Sequence, residues 1–118
     1  MKNVNSINLN EITIVNLTAH TINIINPALG LDLSIPAEGI DVRVATEVTE
    51  DFGNGIFKIG YGEVTGLPDP KEGTIFIVSS MVLAAVGNSR SDVFAPASFA
   101  PIRDNQGRII GVPGLVGN

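Results

Sequence analysis

Residues 73–87 (GTIFIVSSMVLAAVG) constrain the fold more than any other stretch of this chain. Residues 74–78 are apolar or β-branched without alternation, the pattern of a strand covered on both faces. Ser79 supplies a hydroxyl that can accept a hydrogen bond from an otherwise unpaired first-turn amide. Residues 81–86 contain good helix formers, and Gly87 supplies the left-handed residue that closes a helix. A buried strand running straight into a short buried helix at about 79–86 is therefore predicted, and it is the chain's one convincing helix.

The segments before it read as β-structure. Residues 11–17 and 21–26 have strand character, with Ile22 and Ile24 sharing a face, and residues 18–20 between them have room only for a turn or a bulge. Leu31, Leu33 and Ile35 alternate with Asp32 and Ser34. Ile40, Val42 and Val44 alternate with Asp41 and Arg43 and predict a half-buried strand. Residues 46–51 read as an acidic turn that leads into a hairpin at the Asn54-Gly55 pair, with residues 56–64 as its second arm. Gly60 and Gly62, flanking Tyr61, predict a bulge or a close backbone approach. Two prolines make residues 66–73 a surface loop. After the helix, residues 93–101 read as an extended, proline-punctuated segment. Residues 102–110 read as a hairpin turning at 104–107, and residues 111–118 as a short strand that frays. The expected fold is mainly β: a compact antiparallel sheet, or a small barrel or sandwich, with one short buried helix in a single domain 1–118 whose residues 1–10 form a loose N-terminal segment.

Composition narrows the function. A chain of 118 residues buries a real core without disulfide or metal support. Only 16% of residues are charged against 44% hydrophobic, and the mean hydropathy is +0.32, so apolar surface is expected to be covered between subunits of a homo-oligomer. The net charge of −5, with seven Lys and Arg spread singly, argues against a nucleic-acid polymer or an anionic membrane as partner. Without cysteine there is no disulfide framework, thiolate zinc site or cysteine nucleophile. No run reaches the roughly 18 apolar residues of a membrane span. The N-terminus lacks the apolar core of a signal peptide, so a cytoplasmic location is expected and the Asn16-Leu17-Thr18 sequon is taken as meaningless. No cofactor is expected.

The candidate chemistry is sparse. A helix starting at Ser79 and Ser80 turns free amides toward whatever precedes it, a generic anion site; the alternative is that Ser79 merely caps a buried helix. No phosphate-binding GxxxxGK[ST] loop occurs. Arg90, Arg103 and Arg108 carry the fork geometry that suits phosphate; the alternative is surface pairing with Asp92 and Asp104. His20 is the sole histidine, which rules out a two-histidine site, and no G-x-S-x-G elbow supports a serine nucleophile. Glu47, Glu50 and Asp51 lack the ladder of a calcium loop and read as a solvated acidic turn. Tyr61 between glycines is placed to stack on a base, or to sit at the rim of the core.

Four segments taken together, NLTAHTI (16–22), YGEVTGLPDP (61–70), GTIFIVSS (73–80) and IRDNQGRIIG (102–111), resemble a family of small uncharacterised phage- and prophage-associated proteins. The resemblance covers most of the chain from Val15 onward and departs at Ala19, where the family pattern has proline before the histidine. It implies a phage context, hence the host-cell cytoplasm, and no particular chemistry. By analogy of context and size, the leading expectation is a phage-encoded protein that sequesters a small anionic nucleotide signal of anti-phage defence without catalysis. Arg103 and Arg108 would grip phosphate, Ser79 and Ser80 would add polar contacts, Tyr61 would stack, and Arg90 and His20 would complete the site. The alternative is a structural or host-interaction phage protein, in which residues 93–101 add a strand to a partner.

Overall fold

Residues 6–9 and 12–118 are described by the structure, a computed structural model. In chain order the elements are β1 (Ser6–Leu9), β2 (Ile12–Asn16), β3 (Ile22–Asn26), β4 (Leu31–Ile35), β5 (Arg43–Gly53), β6 (Ile56–Thr65) and β7 (Thr74–Ile77). Then follow α1 (Ser80–Val86), β8 (Val93–Pro96), β9 (Ile102–Arg103), β10 (Ile109–Gly111) and β11 (Leu115–Val116). The fold is mainly β with one short α-helix. Within the expected loose start, residues 6–9 instead pair with β2; residues 1–5 and 10–11 lie outside the described residues.

One five-stranded sheet, ordered β1-β2-β7-β8-β11, organises the molecule. Its outer pairs are antiparallel, but β2–β7 and β7–β8 are parallel, so the centre departs from the antiparallel sheet expected. For β7–β8 the connection permits this: β7 runs into α1, and a helix returning over the sheet lets the next strand, β8, lie parallel to β7; β2–β7 is a pairing between strands far apart in sequence. Ser79 caps α1 as read from sequence, its Oγ accepting from the Val82 amide at 3.2 Å, and Gly87 closes it at φ 62°.

Both faces of the sheet are covered, which explains the unbroken apolar run of β7. On one face Phe76, Val78, Val93 and Ala95 pack with Leu17 and with Val82 and Leu83 of α1. On the other, Ile14 and Ile77 pack with Ile24 and Ile35 of the β3–β4 hairpin and with Val112. Each fully buried Val, Leu, Ile or Phe side chain among them contributes about 1.5–3 kcal/mol. Of residues 93–101, read as extended, 93–96 form strand β8 and belong to this core: Val93, Ala95 and Ala97 are buried and β8 is paired on both sides. The expected fraying after residue 111 is also absent. β11 pairs with β8, and the Asn118 side-chain amide donates to the Leu83 and Gly87 carbonyls at 2.9 and 2.6 Å, fastening the chain end to the last turn of α1.

The β5–β6 hairpin is different. Residues 46–51, read as an acidic turn, continue β5 to Gly53, so the hairpin is far longer than expected, although its turn lies at Asn54 (φ 56°) and Gly55 (φ 78°) as predicted. Gly62 falls where the β5–β6 register shifts between Val44 and Thr46, in agreement with the predicted bulge. At the hairpin's foot Val44 and Val64 pack against the core beneath α1; beyond them it holds no buried residue. The radius of gyration, 16.3 Å, and the extents of 53 × 39 × 23 Å exceed the roughly 13.5 Å radius of a compact chain this long, as a body bearing a projecting arm should.

Candidate functional site

A hollow of about 640 Å³ lies beside the start of α1. Its floor is core: Leu17, Val78 and Val82. One wall is the turn Thr18-Ala19-His20 with Ile22, the other is formed from residues 37–42, and Ser79, Ser80 and Ser98 contribute hydroxyls. The size and the mix of an apolar floor with a few polar groups suit a small-molecule site.

A single buried residue holds both walls. Asn16 ends β2 with no exposed surface. Its Nδ2 donates to the carbonyls of His20 (2.8 Å) and Ile35 (2.7 Å), and its Oδ1 accepts from the amide and hydroxyl of Thr18 at 2.9 and 2.7 Å. The Asn16 backbone carbonyl accepts from the Glu38 amide at 2.8 Å. The 18–20 turn and the 35–38 segment are thus tied to the same side chain and cannot drift independently. The second wall is anchored again where Gly66, at φ 86°, leaves room for the Asp41 carbonyl that any side chain there would strike. The Asn-Leu-Thr sequon dismissed from sequence is therefore a structural knot. The missed signal was an asparagine directly after an unbroken run of strand formers, where a polar residue needs a complete set of partners.

Of the candidate residues, the structure brings Ser79, Ser80 and His20 together around the hollow and leaves Arg90, Arg103, Arg108 and Tyr61 elsewhere. Arg90 forks onto Asp92, with Nε–Oδ1 at 2.8 Å and Nη2–Oδ2 at 2.9 Å, and Nη2 also donates to the Pro68 carbonyl at 2.9 Å. Both side chains are 18% exposed, and the pair staples the 66–73 loop to the segment after α1. The hydrogen bond from Arg90 holds the Asp92 carboxyl below the usual carboxylate range, against desolvation, and the same bond raises the guanidinium.

Arg108 Nε donates to Asp104 Oδ2 at 2.9 Å, and Arg103 Nη1 donates to the Gly107 carbonyl at 2.7 Å. The backbone amide of Arg108 and then that of Gln106, both donating to Oδ1, depress the Asp104 carboxyl. Both arginines brace their own turn, Arg108 by the pairing with Asp104 that the alternative expected and Arg103 through a backbone carbonyl instead of an acid. They do not converge at the helix start. The β9–β10 hairpin is nonetheless a near neighbour: Ile22 and Pro96 line both the large hollow and a smaller one, about 220 Å³, walled by Ile109 and Ile110.

The helix start is a weak anion site by itself. α1 has seven residues, and the Val82 amide is already taken by Ser79, so little of the macrodipole or of the free donor set remains. Tyr61 sits on the arm opposite Thr46, 46% exposed. Glu47, Glu50 and Asp51 lie along β5, where Glu50 makes only a long, exposed pair with Lys58. No group of three or more His, Cys, Asp or Glu among the described residues is arranged to hold a metal ion, and no helix among them is long and apolar enough to cross a membrane. No protein-family model, curated protein or solved structure matches the chain.

Proposed function

We propose that this protein acts by binding, as a homo-oligomer, and that the hollow beside α1 captures a small molecule without turning it over. The observation that carries the reading is the hollow itself: about 640 Å³ with an apolar floor, hydroxyls from Ser79, Ser80 and Ser98, and one imidazole, its walls held by a fully satisfied buried asparagine. Such pre-organisation lowers the ordering cost of binding. The ligand class is a signalling nucleotide of bacterial anti-phage defence, of the cyclic or ADP-ribose type. Its base would lie on the apolar floor and its ribose hydroxyls would meet the serines. The phosphates would extend toward the β9–β10 hairpin, where Arg108 is 72% exposed and gives up only a weak surface pair.

Titration calorimetry with a panel of cyclic oligonucleotides and cyclic ADP-ribose isomers tests this. Binding at micromolar affinity or tighter is expected with at least one, recovered intact after the protein is denatured. It should be lost in Ser80→Trp, which fills the hollow, and weakened about tenfold in Arg108→Ala. Absence of heat at 100-micromolar protein with every nucleotide overturns it.

A second reading, a structural or host-interaction phage protein, is favoured by the arm, whose apolar residues require a covering surface. Recovery of the protein at fixed stoichiometry in purified virions would select it.

A further inference from the structure

The exposed apolar residues of the arm are ordered. On β5, residues 44, 46 and 48 alternate on one face, and their cross-strand partners are Val64, Tyr61 and Ile59; Phe57, two residues from Ile59, continues the row. Val44 and Val64 at the foot pack on the core. The rest of the row runs outward uncovered: Tyr61 46%, Val48 59%, Ile59 56% and Phe57 52% exposed. The opposite face bears Glu47, the Glu50–Lys58 pair and Phe52, 54% exposed, whose ring centroid lies 5.8 Å from Lys58 Nζ; Ile56 at the tip is also exposed. A two-stranded hairpin is marginal alone in water and needs a further layer against one face to be stable. Here that layer is supplied at the foot by α1 and is missing over the outer half.

We infer that the missing layer is the same face of a second copy of this chain, two arms stacking stripe on stripe about a twofold axis. The inference rests on the oligomeric part of the function proposed above and names the surface. Three features favour a second copy. The stripe carries no charge over its rungs from Val44–Val64 out to Val48–Ile59, so two stripes overlapping there meet without burying an ion. Its one acid, Asp51 opposite Phe57 near the tip, is kept from its twin when the arms run in opposite directions, each tip toward the other's foot. The area also fits: with aromatic side chains presenting about 150–250 Å² and four apolar side chains half exposed, each stripe offers on the order of 400 Å², about 800 Å² for the pair. The arm edges extend this toward the roughly 1,200 Å² at which specific interfaces begin. An interface of that size falls in the small, transient class, so a reversible dimer is expected.

Sedimentation velocity from about 1 to 300 micromolar reads the result against the 12.3 kDa chain mass. The expected outcome is a concentration-dependent shift to twice that mass. Ile59→Lys on the stripe should weaken association at least 100-fold, whereas Phe52→Ser on the opposite face should leave it within about threefold, both variants keeping the wild-type circular dichroism spectrum. Monomeric wild type throughout overturns the inference and the oligomeric reading together. Association that survives Ile59→Lys overturns the stripe as the interface while leaving an oligomer in place. Neither outcome touches capture in the hollow, which calorimetry tests separately.

Discussion

The body and the arm are made from the same stock of isoleucine, valine and phenylalanine, yet they use it in opposite ways. In the body, Ile77 and Ile35 have no exposed surface and share one packed cluster, and the central strands carry a second cluster on their other face. On the arm, Ile59 and Phe57 in an equally regular ladder are more than half exposed. The difference is a missing layer, since sheet faces gain stability only from what packs on them. The body's central strands are covered within the chain, although Phe99 and Ile109 at its surface are 80% and 60% exposed; the arm's outer half has no layer over it, and a second copy is assigned that place.

The strongest way to break this contrast is at Asn16, the residue on which the body's rim depends. Asn16→Ala leaves the buried Ile35 carbonyl without its side-chain donor, and it removes the Oδ1 that accepts from the Thr18 amide and hydroxyl, while the His20 carbonyl keeps the Thr18 hydroxyl; an orphaned buried group costs about 1–3 kcal/mol. A loss of about 3 kcal/mol in urea unfolding is expected. Asn16→Asp should do no better, since it keeps the acceptor and lacks the two donors. If Asn16→Ala unfolds like the wild type, the rim is not held from that point. Ligand binding in the hollow would then need another source of order.

A second test sharpens the body's closure by pH. Arg90 and Asp92 form its least exposed ion pair among the described residues. The carboxyl is depressed in the folded state, first by the hydrogen bond from Arg90. Its contribution is therefore complete above the unfolded value of about 3.9 and drains as pH falls through the lower folded value. Asp92→Asn should cost about 1–2 kcal/mol at pH 7. The gap to wild type should close on acidification, the wild type having the steeper acid limb. A gap that stays constant from pH 7 to pH 2 would assign the loss to packing.

How much of this was legible beforehand follows from where the determining contacts lie. Residues 73–87 were readable because local signals agreed: β-branched strand, serine cap, helix formers, closing glycine. The parallel centre of the sheet was not, because strand order is set by contacts across the chain, such as Phe76 opposite Val93, that no local pattern encodes. The length of the arm was hidden by Glu47, Glu50 and Asp51, whose charge made an alternating strand look like a turn. The hollow was half legible. Ser79, Ser80 and His20 reach it, but the arginines were assigned by chemical type alone. Asp92, Asp104 and the Gly107 carbonyl, two to four residues away along the chain, claim a flexible guanidinium before a distant pocket can.

Ser79→Ala tests the junction of the two regions, since α1 packs against both the sheet and the foot of the arm. Losing the cap to the Val82 amide should cost about 1 kcal/mol. If amide exchange then quickens at the foot of the arm, around Val44 and Val64, as well as in α1, the arm is stabilised through the helix. Exchange confined to α1 would mean that the foot holds by its own packing.

The smallest effect is the most telling. At low concentration Ile59→Thr removes an apolar group that water already reaches, replaces it with a good strand former, and should change the unfolding free energy by no more than about 0.5 kcal/mol. At high concentration the wild type should gain stability by mass action, because association favours the folded chain, and its midpoint should climb with protein concentration. The Ile59→Thr midpoint should stay nearly flat over the same range. A substitution silent in the dilute chain and costly in the concentrated one marks a surface finished only by association. If Ile59→Thr instead costs about 2 kcal/mol or more at every concentration, that side chain is already buried in the monomer, and the contrast between body and arm is lost.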